Sequence, residues 1–137
     1  TLEKTAKGYV VGGASLAALS ERVSATIAQA GDDPLAAQLQ ASWQRLATVT
    51  AGMFASGDIE AAMANSAIYL EAFGHIVIAW IWLEQYLVAG DQGGDFYEGK
   101  RQAARFFFRY ELPKTAAQLD LLESLDRTTL EMQDSWF

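Results

Sequence analysis

The stretch from Ser66 to Gly90, SAIYLEAFGHIVIAWIWLEQYLVAG, constrains the fold more than any other. It is too long for a strand and holds no proline. From Ile76 to Leu83 it is apolar on every side. A helix without a wet face is normally surrounded by protein or by lipid. Between Glu71 and Glu84 lie twelve residues, one of them His75. A spanning helix needs about 20 apolar residues, and runs of about 10–14 more often mark a buried core helix. The expectation is a central helix that the other segments wrap, with no membrane partner.

The rest of the chain suits that role. At 137 residues it has the length of one domain, and with 51% apolar residues it can build a core. The net charge of −7 opposes nucleic acid or anionic lipid as main partner, because both demand a basic footprint. The absence of cysteine removes disulfides and thiolate zinc sites. The start, TLEKTAKGYVVGG, has neither the apolar core nor the cleavage site of a signal peptide. It also lacks an initiator Met, which suggests a piece of a longer chain.

Residues 1–12 read as a mobile leading segment, because Gly8, Gly12 and Gly13 discourage a stable helix. Leu16, Leu19, Val23 and Ile27 then recur at helical steps, predicting a helix from about Ala14 to Ala30. Asp33 and Pro34 are a cap and a first-turn proline, opening a second helix to about Ala55. Ser56-Gly57-Asp58 is a break, and a third helix is expected from about Ile59 to Ala89. Asp95 opens a fourth, which Pro113 interrupts, and a fifth is expected to reach about Met132. There is no strand alternation. The fold class is all-α: an antiparallel bundle of about five helices around a long apolar one, forming a single domain over residues 1–137.

Winding the third helix at about 100° per residue puts Ser66, Leu70, Phe73, Val77, Trp80, Glu84 and Leu87 on one face. On the fourth helix Phe96, Lys100, Ala103, Ala104 and Phe107 share a face. Glu84 lies eight residues before Gln92 and Lys100 eight after it. In an antiparallel hairpin they are level, which predicts a partly buried Glu84–Lys100 ion pair, since an unpaired buried charge is costly. Arg101, Arg105 and Arg109 form a separate stripe expected to face solvent, acidic groups or a partner domain. Trp80 and Phe107 are expected to be buried. Gly74 and Gly99 sit inside helices, where Gly costs about 1 kcal/mol relative to Ala, and close approach of another backbone is the expected offset.

Catalytic chemistry is thin. One histidine cannot make a two-histidine metal site, and no Glu stands three residues before it, as bundle di-iron sites need. His75 is expected to be structural, with a hydrogen-bond partner near Glu71. There is no phosphate loop, dinucleotide fingerprint or nucleophile elbow. Asp91 and Asp95 are too few for a calcium loop. Glu84 could serve as a general base, but a level Lys100 favours a structural pair. A small-ligand bundle would need a cavity beside these two residues. No catalytic, cofactor-binding or metal residue is assigned to this segment.

Two segments, YLEAFGHIVIAWIWLEQYLVA and DFYEGKRQAARFFFRYELPKTAAQL, carry a resemblance. In order they hold Leu70, Phe73 and Gly74; Trp80, Trp82 and Leu83; Phe96, Tyr97 and Lys100; Ala104, Arg105, Phe106 and Phe107; then Leu112 and Pro113. This series resembles the extra C-terminal helical domain of bacterial acyl-CoA dehydrogenases, in the subgroup similar to 3-methylmercaptopropionyl-CoA dehydrogenase. The resemblance covers about residues 67–119. It implies a cytoplasmic FAD flavoprotein parent, an oxidoreductase that takes an acyl-CoA to the 2,3-enoyl-CoA. FAD and the catalytic base would lie in the preceding body, and none of their residues maps onto this chain. The segment would then be structural or interface-forming, with the dehydrogenase body of the same chain and further copies in a homo-oligomer as partners. The alternative is a stand-alone helical bundle for protein–protein assembly with no enzymatic role.

Overall fold

The structure is a computed structural model; it describes residues 2–137, with side chains described from Ala14 onward. Six α-helices follow in order among the described residues: α1 (Leu2–Ala30), α2 (Pro34–Ala55), α3 (Ile59–Ala64), α4 (Ser66–Ala89), α5 (Asp95–Phe106) and α6 (Thr115–Glu123). A π-helical turn (Phe107–Glu111) and a 3-10 turn (Leu112–Lys114) join α5 to α6. The fold is all-α, as the periodicity predicts. The first helix begins well before Ala14, so its backbone stays helical through Gly8, Gly12 and Gly13. The side chains of the leading segment lie outside the described residues, and its expected mobility with them.

Local chemistry sets the boundaries. The Asp33 carboxylate accepts from the Leu35 amide at 2.8 Å, with Pro34 in the first turn of α2. Asp58 caps α3 in the same way, accepting from the Ala61 amide at 3.0 Å. Gly90, at φ 45°, takes a positive-φ conformation open to glycine, and α4 ends there.

Two expected boundaries move. The helix expected over 59–89 breaks at Asn65, whose buried side chain donates to the carbonyls of Ala61 (3.0 Å) and Asp126 (2.8 Å). The last helix stops at Glu123 instead of about Met132, because Leu125 adopts φ 51°. Pro113 acts as expected: it has no amide to donate, and the ladder before it widens into the π-turn.

The core is built from Val23 of α1, Leu39 and Leu46 of α2, Ile76 and Leu83 of α4, Phe108, and Leu119 and Leu122 of α6. Helix α4 packs on α1, α2, α5 and α6 and is central in that sense. It is not wrapped all round. Leu70, expected on the face of Phe73 and Trp80, is instead 70% exposed, and Val88 is 74% exposed, with Ile78 and Ile81 also open. Its 24 residues meet the length and composition of a membrane span, although only length and composition say so.

Trp80 is buried as expected, but Phe107 is half-buried, stacked on His75 at 6.2 Å between ring centres. The inward face of α5 is Arg101, Ala104 and then Phe108, so the expected face is rotated by one residue. Gly74 also departs from expectation. A Cβ built there would meet nothing within 4 Å, and the same holds at Gly99, so neither position is explained by a close backbone.

Candidate functional site

The α4–α5 hairpin was the expected site, and its registers decide who meets whom. Lys100 donates to the Gln85 side chain at 3.1 Å. Its ammonium stands 5.6 Å from the Trp82 ring centre and 5.7 Å from that of Phe96. The expected Glu84–Lys100 ion pair is therefore not made. Lys100 is level with residue 85 instead of 84. One residue is a turn of about 100°, enough to carry the Glu84 carboxylate off this flank and onto α1.

There Glu84 joins a polar thread through the core. The Trp80 indole donates to Thr26 Oγ1 at 2.8 Å in a buried contact. Thr26 Oγ1 lies 3.2 Å from Glu84 Oε1 and 3.1 Å from the Arg22 carbonyl, either of which can accept its proton. The Arg22 guanidinium covers the Trp80 ring at 5.2 Å. Each buried polar atom in the thread has a partner, so the arrangement locks α1 against α4. Helix α2 is tied likewise: Trp43 donates to Ser20 at 2.8 Å, and the hydroxyls of Thr50 and Tyr69 share a 2.9 Å bond.

The arginine stripe divides. Arg101, expected at a surface interface, is buried. Its guanidinium donates to the carbonyls of Gly90 (2.7 Å), Gln92 (2.9 Å) and Ala89 (3.3 Å), and to Glu98 at 2.6 Å. It closes the C-terminal end of α4, where orphan carbonyls need donors. The Arg101 hydrogen bond and charge together hold the Glu98 carboxyl below its usual range. Arg105 and Arg109 remain exposed, Arg105 lying 5.8 Å over the Tyr86 ring.

His75 is half-buried, its Nδ1 3.0 Å from the Glu71 carbonyl and its Nε2 3.9 Å from Glu111. Among the described residues no group of three His, Cys, Asp or Glu side chains could hold a metal ion. A pocket of about 600 Å³, almost wholly apolar, opens between α2, α3 and the start of α4, with Tyr69, Thr50 and Met53 in its wall. It lies at the far end of α4 from Glu84 and Lys100. Two features escape sequence reading: Thr26 as the hub of the thread, and the openness of the apolar outer face of α4. A lone threonine in an amphipathic helix carries no signal of its own, and periodicity cannot tell a covered apolar face from a bare one.

A family model described as acetyl-CoA dehydrogenase C-terminal like matches residues 19–133. No curated protein and no solved structure matches the chain.

Proposed function

The chain belongs to the acetyl-CoA dehydrogenase C-terminal-like family, and from that premise we propose that it is the accessory helical domain of an FAD-dependent acyl-CoA dehydrogenase, in the subgroup similar to 3-methylmercaptopropionyl-CoA dehydrogenase. The parent is a bacterial, cytoplasmic oxidoreductase that converts an acyl-CoA to the 2,3-enoyl-CoA. FAD and the base that removes the α-proton belong to the body of that enzyme. No residue of this chain is assigned to either. The domain's own work is structural: it presents a stiff surface for packing against protein.

The family match over residues 19–133 carries this reading. The bare apolar face of α4 supports it, since contiguous exposed apolar surface marks an interaction site. The test is to purify the full-length product of the source gene and record its flavin absorbance, its mass, and its reduction by acyl-CoA with an artificial electron acceptor. A yellow protein several times this size that acyl-CoA reduces is the expected result. A colourless product the size of this chain overturns it and leaves a helical assembly module.

A further inference from the structure

We infer that the outward face of α4 and α5 binds a second copy of this chain, with the two α4 helices antiparallel about a two-fold axis passing close to Ala79. This deepens the reading of the domain as interface-forming and names the face and its occupant.

The stripe itself supplies the symmetry. Leu70, Gly74, Ile78, Ile81, Gln85 and Val88 fall within about 80° of one another at the α-helical repeat. The four apolar members are exposed, and Gly74 leaves open space where a Cβ would stand. Read from either end, the stripe is nearly the same. Under an antiparallel two-fold, Ile78 meets Ile81 of the copy, Leu70 meets Val88, and Gly74 meets Gln85. A self-complementary patch is what an isologous interface requires. The small residue stands opposite the long one, so the helices can approach evenly.

Charge points the same way. No charged residue lies on the stripe, so the net charge of −7 places no like pair at its centre. Lys100 borders it on α5, half-buried between the Trp82 and Phe96 rings, with the Gln85 amide as its hydrogen-bond acceptor. Among the described residues no carboxylate lies within ion-pair distance of it. The same two-fold that sets Ile78 on Ile81 brings Gly74 of the copy level with Lys100 and the exposed Glu71 of the copy about 4.5 Å farther along the axis, within reach of two long side chains. The dimer thus gives each Lys100 a carboxylate. Phe96, 69% exposed, falls level with Leu70 of the copy and covers it.

The size sets the strength. From Leu70 to Val88 the strip is about 27 Å long, and two helices of about 10 Å each give about 500 Å² per protomer. That is at the small end of specific interfaces, so the dimer of this chain alone is weak, with a Kd on the order of micromolar.

The test is sedimentation equilibrium of this chain across the micromolar range, with helix content checked by circular dichroism. A concentration-dependent dimer is expected. Ile81→Glu or Val88→Glu, at exposed positions that leave folding intact, abolishes it. Glu71→Lys and Lys100→Glu each weaken it about tenfold, and the double reversal restores it. Because the chain has no cysteine, Leu70→Cys with Val88→Cys introduces the only two thiols. The double variant forms an intermolecular disulfide on mild oxidation, whereas neither single variant does, since like positions lie about 27 Å apart. A monomer at every concentration overturns the inference. So does a dimer that ignores both glutamate variants, or a double charge reversal no better than the singles. A monomer whose Val88→Cys thiol is shielded only in the full-length product assigns the face to the enzyme body instead. None of these measurements involves flavin. A colourless full-length product would sink the dehydrogenase reading and leave the dimer untouched.

Discussion

Thr26 holds one proton and stands among three partners. The Trp80 indole donates to it, while the Arg22 carbonyl and Glu84 compete for its hydrogen. Thr26→Val keeps the shape and deletes the acceptor, so a buried indole N–H loses its partner. A buried donor left unpaired costs about 1–3 kcal/mol. Urea denaturation should show a loss of that size, and Thr26→Ser should recover most of it. Arg101 makes a second residue-scale case, because one side chain serves two ends. Its hydrogen bond and charge depress the Glu98 carboxyl. The folded value lies below the unfolded one, so this stabilisation is present above the ordinary carboxylate range and is lost as pH falls through the folded value. Arg101→Met should therefore raise the Glu98 midpoint toward its ordinary value in an NMR titration. It should also cost about 1–3 kcal/mol, because the α4 carbonyls lose their donor. A raised midpoint with unchanged stability would mean that the cap carbonyls find water instead.

At the scale of helices, Gly99 is a residue whose flexibility has no structural return. A Cβ there meets nothing within 4 Å. Gly99→Ala should stabilise the chain by about 1 kcal/mol, the propensity difference in a helix interior, read as a higher urea midpoint at unchanged slope. A loss of stability would show that the position is covered in solution. The elements themselves were largely legible. Asp33-Pro34 and Ser56-Gly57-Asp58 announce their boundaries through caps and breakers that act within a few residues. Three things were not legible, each for a nonlocal reason. The break at Asn65 depends on the Asp126 carbonyl, which lies 61 residues along the chain. The inward face of α5 differs from the one its pattern predicts because Arg101 reads as a surface residue until the open end of α4 gives its guanidinium three carbonyls. The ion pair failed because a hairpin register judged from its loop centre is good only to about one residue, and one residue turns a side chain by about 100°.

Across the whole molecule, protection should be uneven, and the tail shows where. The segment after α6 is fastened at two points. Asn65 donates to the Asp126 carbonyl at 2.8 Å, and Arg127 pairs with Asp58, the residue that caps α3. The six-residue helix α3 is too short to persist by itself, since isolated helices below about 12 residues are marginal in water. Its order therefore depends on these contacts and on Ala61, which is fully buried. The centre of α4 is different: Ile76, Ala79 and Leu83 are fully buried in the core. Arg127→Ala removes a solvent-exposed ion pair, so global stability should change by no more than about 1 kcal/mol. Amide exchange should nevertheless speed up in α3 and in residues 124–130, while the centre of α4 keeps its protection. Separate local openings of this kind are how stability is distributed in folded chains. If exchange in the centre of α4 rose in step with α3, the tail latch would belong to the same cooperative unit as the core, and the break at Asn65 would be a joint that transmits strain instead of one that isolates it.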